Sequence, residues 1–314
     1  MNRVAPFLAL ALSAFALLGA ALQPPAPGPP PDNKDWLEPT EPQRIVGPIH
    51  DVGTLGLRAY LIATPAGHIL LDGAVPAAAP LIEASIRKLG FKPEEIRILI
   101  ITHAHFDHVG TLAALKKLSG AQVAVMAPDD RLLASGGTTD YLFASDTKFH
   151  FPPVSADRVL KDGDTVALGG VTLTARLTPG HTRGCTTWIT TVEDGGRTYR
   201  VVFPGSTSVN PGTRLVHDPS YPGIADDYRR AFDLLESLKP DIFLPAHASP
   251  ADLAAQRERA VTEGARAFVD PEGYRRRIAG DREKFETLLA SESSAAPAAT
   301  TPATGGGFYG LEPL

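Results

Sequence analysis

The sequence predicts an α/β protein in which two β-sheets are flanked by helices. Three observations carry that expectation. Short apolar runs alternate with helix-period segments through the first half, the second half turns to hairpins, and no Gly/Pro/Ser-rich linker divides the body between residues 35 and 290.

The elements follow in order along the chain. Leu55 to Thr64 and His68 to Asp72, separated by the turn pair Ala66-Gly67, read as neighbouring strands. Ala77 to Leu89 places Ala79, Leu81, Ile82, Ile86 and Leu89 near helical spacing, and Gly90 closes it. Glu94 to Thr102 reads as a buried strand, Leu112 to Leu118 as a helix ended by Gly120, Ala121 to Met126 as a strand and Asp129 to Leu133 as a short helix. The segment from Ala134 to Asp157 has no period but carries Tyr141, Phe143, Phe149 and Phe151, the composition of a loop that forms a rim or lid. Strands at Arg158 to Leu160, Thr165 to Leu168, Val171 to Leu177, Thr186 to Val192 and Thr198 to Phe203 follow, two of the turns being Gly169-Gly170 and Glu193-Asp194-Gly195-Gly196. Tyr228 to Leu238 reads as a helix, Ile242 to Leu244 as a strand and Ala251 to Arg266 as a helix.

Outside this body the composition changes. The apolar run from Val4 to Leu22 is long enough to anchor a helix in a membrane, but Arg3 before it and the Gly19-x-Ala21 pattern at its end favour a signal peptide over residues 1–21, cleaved near Ala21, and hence an exported, periplasmic protein with no stable membrane insertion. Residues 22–34 are a Pro-rich linker, residues 35–290 a single catalytic domain and residues 291–314 a low-complexity tail expected to be disordered. The net charge of −5 offers no electrostatic footprint for nucleic acid or an anionic membrane, and a small-molecule substrate and a monomer are expected. Cys185 is the only cysteine, so no internal disulfide forms and stability must come from the core or from metal.

Chemistry concentrates at Thr102 to Gly110, T-H-A-H-F-D-H-V-G, directly after an apolar strand. Alternate side chains of an extended chain point the same way, so His103 and His105 converge on one point while Asp107 and His108 reach a second as the loop turns toward a helix. Imidazole nitrogens and a carboxylate suit zinc. Four ligands in one loop cannot close two sites, and two further histidines follow strand ends: His181 in L-T-P-G-H-T-R-G-C-T-T-W and His247 in L-P-A-H-A-S.

Together with F-P-G-S at 203–206 and Y-P-G-I-A-D-D-Y-R at 221–229, these motifs resemble the metallo-β-lactamase superfamily and, within it, subclass B3. The resemblance implies a four-layer αβ/βα sandwich (metallo-β-lactamase fold) with two mixed sheets. It also implies two Zn2+, one held by His103, His105 and His181 and the other by Asp107, His108 and His247. The implied reaction is hydrolysis of the β-lactam ring of penicillins, cephalosporins and carbapenems by a metal-activated hydroxide, conferring antibiotic resistance. Asp107 would ligate and orient the nucleophile, Ser206 and Ser208 would bind substrate, and Asp72 would orient the metal loop. Many superfamily lactonases and thioesterases carry an Asp after the strand that here ends in Ser206, so those activities form the alternative, with a secreted zinc-binding protein lacking turnover as a third reading.

Cys185, followed by Thr186, Thr187 and Trp188, reads as a small buried side chain rather than a ligand. His50, His68, His150 and His217 lack partners at ligand spacing, and surface or packing roles are expected of them. Trp36 is a candidate for the site's rim. Pro250 and Ala251 stand where the family often has an aromatic residue, which predicts a changed pocket wall.

Overall fold

A computed structural model describes residues 33–247 and 249–294; the expected signal peptide, most of the expected Pro-rich linker and all but the first four residues of the expected tail lie outside the described residues, as do the side chains of 250 and 251. The first sheet has seven strands in sequential order: β1 (Gln43–Val46), β2 (Ile49–Asp51), β3 (Tyr60–Thr64), β4 (Gly67–Leu71), β5 (Ile96–Ile100), β6 (Gln122–Met126) and β7 (Arg158–Leu160). β1 to β4 pair antiparallel; β4 to β7 run parallel. The helices α1 (Ala79–Lys88), α2 (Phe106–Val109), α3 (Leu112–Ser119) and α4 (Asp129–Ser135) connect the parallel strands. A second sheet holds β8 (Thr165–Leu168), β9 (Val171–Leu177), β10 (Thr186–Asp194), β11 (Arg197–Phe203) and β12 (Ile242–Phe243) in the order β12-β11-β10-β9-β8. The remaining helices are α5 (Ile224–Ser237), α6 (Pro250–Glu263) and α7 (Pro271–Ser294).

Side-chain alternation divides the core into three layers. Leu61, Leu70, Leu99, Val123 and Val125 face outward to α1 and α3, while Tyr60, Ile62, Ile69, Leu71, Ile100, Ala124 and Met126 face the other sheet. On the far side, Val202 of β11 joins Tyr228, Phe232 and Phe285 of α5 and α7. Helix, sheet, sheet and helix therefore stack as a four-layer αβ/βα sandwich. Trp188 of β10 is wholly buried between the sheets and donates from Nε1 to the Ile101 carbonyl at 2.8 Å. Thr186 N donates to Thr102 O at 2.7 Å, so the second sheet grips the end of β5 where the histidine loop begins.

Several boundaries differ from the sequence expectations, each for a local reason. The strand expected from Leu55 begins only at Tyr60, because Thr54 N bonds Leu57 O at 2.7 Å in a tight turn. α6 stops at Glu263, where Gly264 takes φ +58, rather than continuing to Arg266. α7, which the sequence pattern does not predict, starts at Pro271 behind an Asp270 carboxylate that accepts from Gly273 N at 2.8 Å. It runs on to Ser294, so residues 291–294 are helical rather than tail, and Glu292 Oε2 accepts from Leu215 N at 2.7 Å. Among the described residues no helix is long and apolar enough to cross a membrane.

Candidate metal centre

The carboxyl end of β5 and the loop behind it deliver His103, His105, Asp107 and His108; His181 comes from the β9–β10 loop and His247 from the chain after β12. The fold gathers them into two groups, His103 with His105 and His181, and Asp107 with His108 and His247, each with ligand atoms within 4.8 Å of one another. All but the more deeply buried His103 line one cleft of about 350 Å3 together with Trp36, Phe143, Phe149, Ser206 and Ser208.

The outward nitrogen of four rings is fixed by an acceptor. Asp72 Oδ1 and Oδ2 take the N–H and hydroxyl of Thr102 at 2.7 and 2.8 Å. With its hydroxyl proton engaged there, Thr102 Oγ1 is left to accept from Nδ1 of His103 at 3.1 Å. His108 Nδ1 donates to Asp72 Oδ2 at 3.1 Å, His105 Nε2 to Asp140 Oδ2 at 3.2 Å, and His181 Nδ1 to the Ser208 carbonyl at 2.8 Å. The rings of His103, His105 and His181 therefore each turn an unprotonated nitrogen inward.

In the first cluster those inward nitrogens have no proton to share. His105 Nδ1 and His181 Nε2 face each other at 3.1 Å, His108 Nε2 and His247 Nε2 also at 3.1 Å, and His103 Nε2 is buried with no hydrogen-bond partner. Converging lone pairs in a buried site fit a cation, and the donor set of imidazoles plus one carboxylate fits zinc.

Electrostatics agree with that fit. Burial, reinforced by neighbouring histidines, pushes His103 well below its ordinary value and His181 down to about 3, which keeps both rings neutral. Burial and the His108 charge push His247 down to about 4; its side chain, 47% exposed, meets the cleft. For Asp107, burial works upward but is outweighed by His108 and His247, which hold the carboxylate ionised. His108 differs: burial opposes its charge, yet Asp107 and Asp72 overcome it and raise the group, favouring a proton that a bound cation would displace.

The backbone is held as firmly as the side chains. Asp72 takes φ +61, an unfavourable value for a non-glycine residue, and so turns its carboxylate under the histidine loop. The His247 segment is held by Arg58 N to Ala246 O at 2.7 Å and Tyr60 Oη to Pro245 O at 2.8 Å.

Trp36 lies on the rim, its ring 6.0 Å from that of His247, and Phe143 and Phe149 of the aromatic loop stack 4.2 Å apart on the wall. Ser206 and Ser208 hydroxyls stand 3.1 Å apart in the loop after β11. Cys185 is fully buried behind that loop, 3.7 Å from the Ser206 carbonyl, where burial pushes its thiol up. Of the other histidines, His50 and His68 pack on Phe91, and His150 donates to Ala144 O at 3.0 Å.

Sequence reading missed Asp129 and Asp140. Asp129 Oδ2 accepts from Ala104 N at 3.0 Å and Thr182 Oγ1 at 2.7 Å, and Oδ1 accepts from Gly184 N at 2.7 Å, so one carboxylate ties the His103–His105 strand end to the His181 loop. A Cβ on Gly184 would meet Asp129 at 2.6 to 2.8 Å, which is why glycine stands there. In the sequence both aspartates look like ordinary helix-start and turn residues.

Residues 53–247 match the family model of the metallo-beta-lactamase superfamily, and the chain belongs to that superfamily. Native FEZ-1 metallo-beta-lactamase from Legionella gormanii is similar at 43% identity, with 82% of this chain and 98% of that one covered and a TM-score of 0.80. BJP-1, a subclass B3 metallo-beta-lactamase of Bradyrhizobium japonicum, is 40% identical over 83% of this chain and 98% of that one, with a TM-score of 0.76. A hydroxyacylglutathione hydrolase from Rhodopseudomonas palustris is 30% identical over 180 residues, 57% of this chain and 59% of that protein. The chain spans little more than half the length of two of the curated relatives it matches. The shared class is that of metallo-hydrolases, and the described residues of this chain form two His-rich candidate metal sites.

Proposed function

We propose that the protein is a dizinc hydrolase of β-lactam antibiotics of the subclass B3 type, exported to the periplasm after cleavage near Ala21 and protecting its host from those drugs. The observation that carries this reading is the loop after β11: it presents the hydroxyls of Ser206 and Ser208 to the cleft and, among the described residues, no carboxylate or thiol. The similarity to FEZ-1 and BJP-1, spanning nearly the whole of each, supports the same reading.

His103, His105 and His181 would hold one zinc, and Asp107, His108 and His247 the other. Bound there, the metals supply Lewis acidity and activate water at neutral pH. The chain's own residues position the reactants. Asp107 Oδ2, 3.4 Å from His247 Nε2 and kept ionised, accepts and orients a proton of the attacking water. Asp72 and Asp140 lock the rings of His108 and His105 so that little reorganisation accompanies the reaction. Ser206 and Ser208 donate to the substrate, and Trp36, Phe143 and Phe149 exclude bulk water from the cleft.

The sequence similarity to a hydroxyacylglutathione hydrolase favours one second reading, thioester or lactone hydrolysis. Assay of the mature protein against a penicillin, a cephalosporin, a carbapenem, a lactone and a thioester, with and without chelator, separates the two. Chelator-sensitive lactam turnover is expected; lactone or thioester turnover without lactam turnover would overturn the proposal.

A further inference from the structure

Arg277 of α7 reaches the cleft wall and is the only lysine or arginine among the described residues that line it. Its Nε donates at 2.5 Å to Oδ2 of Asp281, one helical turn on. The same oxygen accepts from Oγ1 of Thr207 at 2.7 Å. Thr207 lies between Ser206 and Ser208, so one carboxylate anchors the guanidinium against the loop that carries both cleft hydroxyls. Asp281 is 9% exposed; burial works against its charge, but Arg277 and Thr207 outweigh it and favour the ionised form. Arg277 itself is 54% exposed, and its two terminal nitrogens have no hydrogen-bond partner among the described residues. Its charge also reaches the far cluster, where it is one of the influences lowering His247.

A guanidinium held by one edge presents its other edge as a pair of parallel donors, the arrangement that matches a carboxylate. Its arm is already ordered by Asp281, so less side-chain freedom is lost when an anion binds. Penicillins, cephalosporins and carbapenems all carry a carboxylate on the ring fused to the lactam.

We propose that Arg277, positioned by Asp281 and Thr207, determines specificity for anionic substrates by taking the carboxylate beside Ser206 and Ser208. The proposal rests on the reading of the site as a β-lactam hydrolase. It assigns part of substrate selection to α7, outside residues 53–247 that match the family model.

The test compares a penicillin with its methyl ester on the zinc-loaded protein and its Arg277→Gln, Arg277→Lys and Asp281→Asn variants. In the unsubstituted protein the acid should have the lower KM. Arg277→Gln should raise the KM for the acid about tenfold to a hundredfold, with the loss in KM rather than kcat, and bring the acid-to-ester ratio toward one. Arg277→Lys should recover part of the ratio, and Asp281→Asn should lie between Gln and the unsubstituted protein. An unchanged ratio in Arg277→Gln, with lactam turnover intact, overturns the assignment of Arg277 and leaves the proposed function standing. Absence of lactam turnover in the unsubstituted protein overturns the proposed function instead. The same pair can then be measured by calorimetry without being consumed: acid bound more tightly than ester in an Arg277-dependent way supports the anion subsite, and equal or absent binding overturns it.

Discussion

Asp140 Oδ2 lies 3.2 Å from Nε2 of His105, across the imidazole from the Nδ1 that faces His181. One carboxylate thereby fixes both the tautomer and the angle of a ring whose other nitrogen points into the candidate metal site. Asp140 is locked in turn, its Oδ1 accepting from the N–H groups of Leu142 and Phe143, both at 2.7 Å.

Replacing that carboxylate frees the ring. Asp140→Ala should weaken zinc affinity at the His103, His105 and His181 cluster by about tenfold to a hundredfold, read by competition with a chromogenic chelator. Affinity indistinguishable from the unsubstituted protein would mean that packing against Phe143, with ring centroids 5.4 Å apart, orients His105 by itself.

Asp129 carries a different load, since its three donors come from two separate loops. Asp129→Ala strands the N–H groups of Ala104 and Gly184 in a buried setting and should cost about 3 kcal/mol of stability, measured as a shift of the urea midpoint. Less than about 1 kcal/mol would show that the loops are held chiefly by other bonds, such as Thr186 N to Thr102 O.

The pair His50 and His68 makes the fold acid-sensitive away from the candidate metal sites. Burial lowers both below their ordinary value, and neither Nδ1 nor Nε2 of His68 has a hydrogen-bond partner. With folded values depressed, the unfolded chain takes up protons first. The stability they contribute is intact above about pH 6.5 and is lost as pH falls from there through the folded values. In His68→Leu the decline below pH 6.5 should be shallower by up to about 1.4 kcal/mol per pH unit, read from denaturant curves at pH 7.5 and 5.5. Parallel curves for the two proteins would refute the contribution of His68.

Cys185 should be inert in the native protein. With no exposed surface and a thiol pushed up by burial, it should react with a thiol-specific chromogenic reagent only after denaturation. Cys185→Ala should bind zinc with the same stoichiometry; a lost equivalent of metal would show that the thiol is a ligand after all.

The elements most legible in the sequence are those whose signal is local. β5 and β6 are short apolar runs closed by the histidine loop and by Pro128; α1 and α3 show helical spacing with left-handed glycines at or just past their ends. β1 and β2 escaped notice because they are four and three residues long and carry Arg44, His50 and Asp51. α7 escaped because its buried stripe, Tyr274, Ile278, Asp281, Phe285 and Leu289, has a charged residue in the middle. That interruption makes sense only once Thr207 and Arg277 are seen to share the Asp281 carboxylate.

By itself the sequence determined that histidines and an aspartate cluster at one strand end and that two more histidines follow other strand ends. These are properties of neighbouring residues, which spacing and residue chemistry reveal. The tertiary structure decided which nitrogen of each ring faces inward, because that depends on Asp72, Asp140 and the Ser208 carbonyl, acceptors 27 to 36 residues from the rings they hold. It also decided that Asp129 joins the two metal loops and that Arg277 enters the cleft. Hydrogen bonds between distant segments leave no periodicity in the chain, and only the packing of two sheets and their helices brings their partners together.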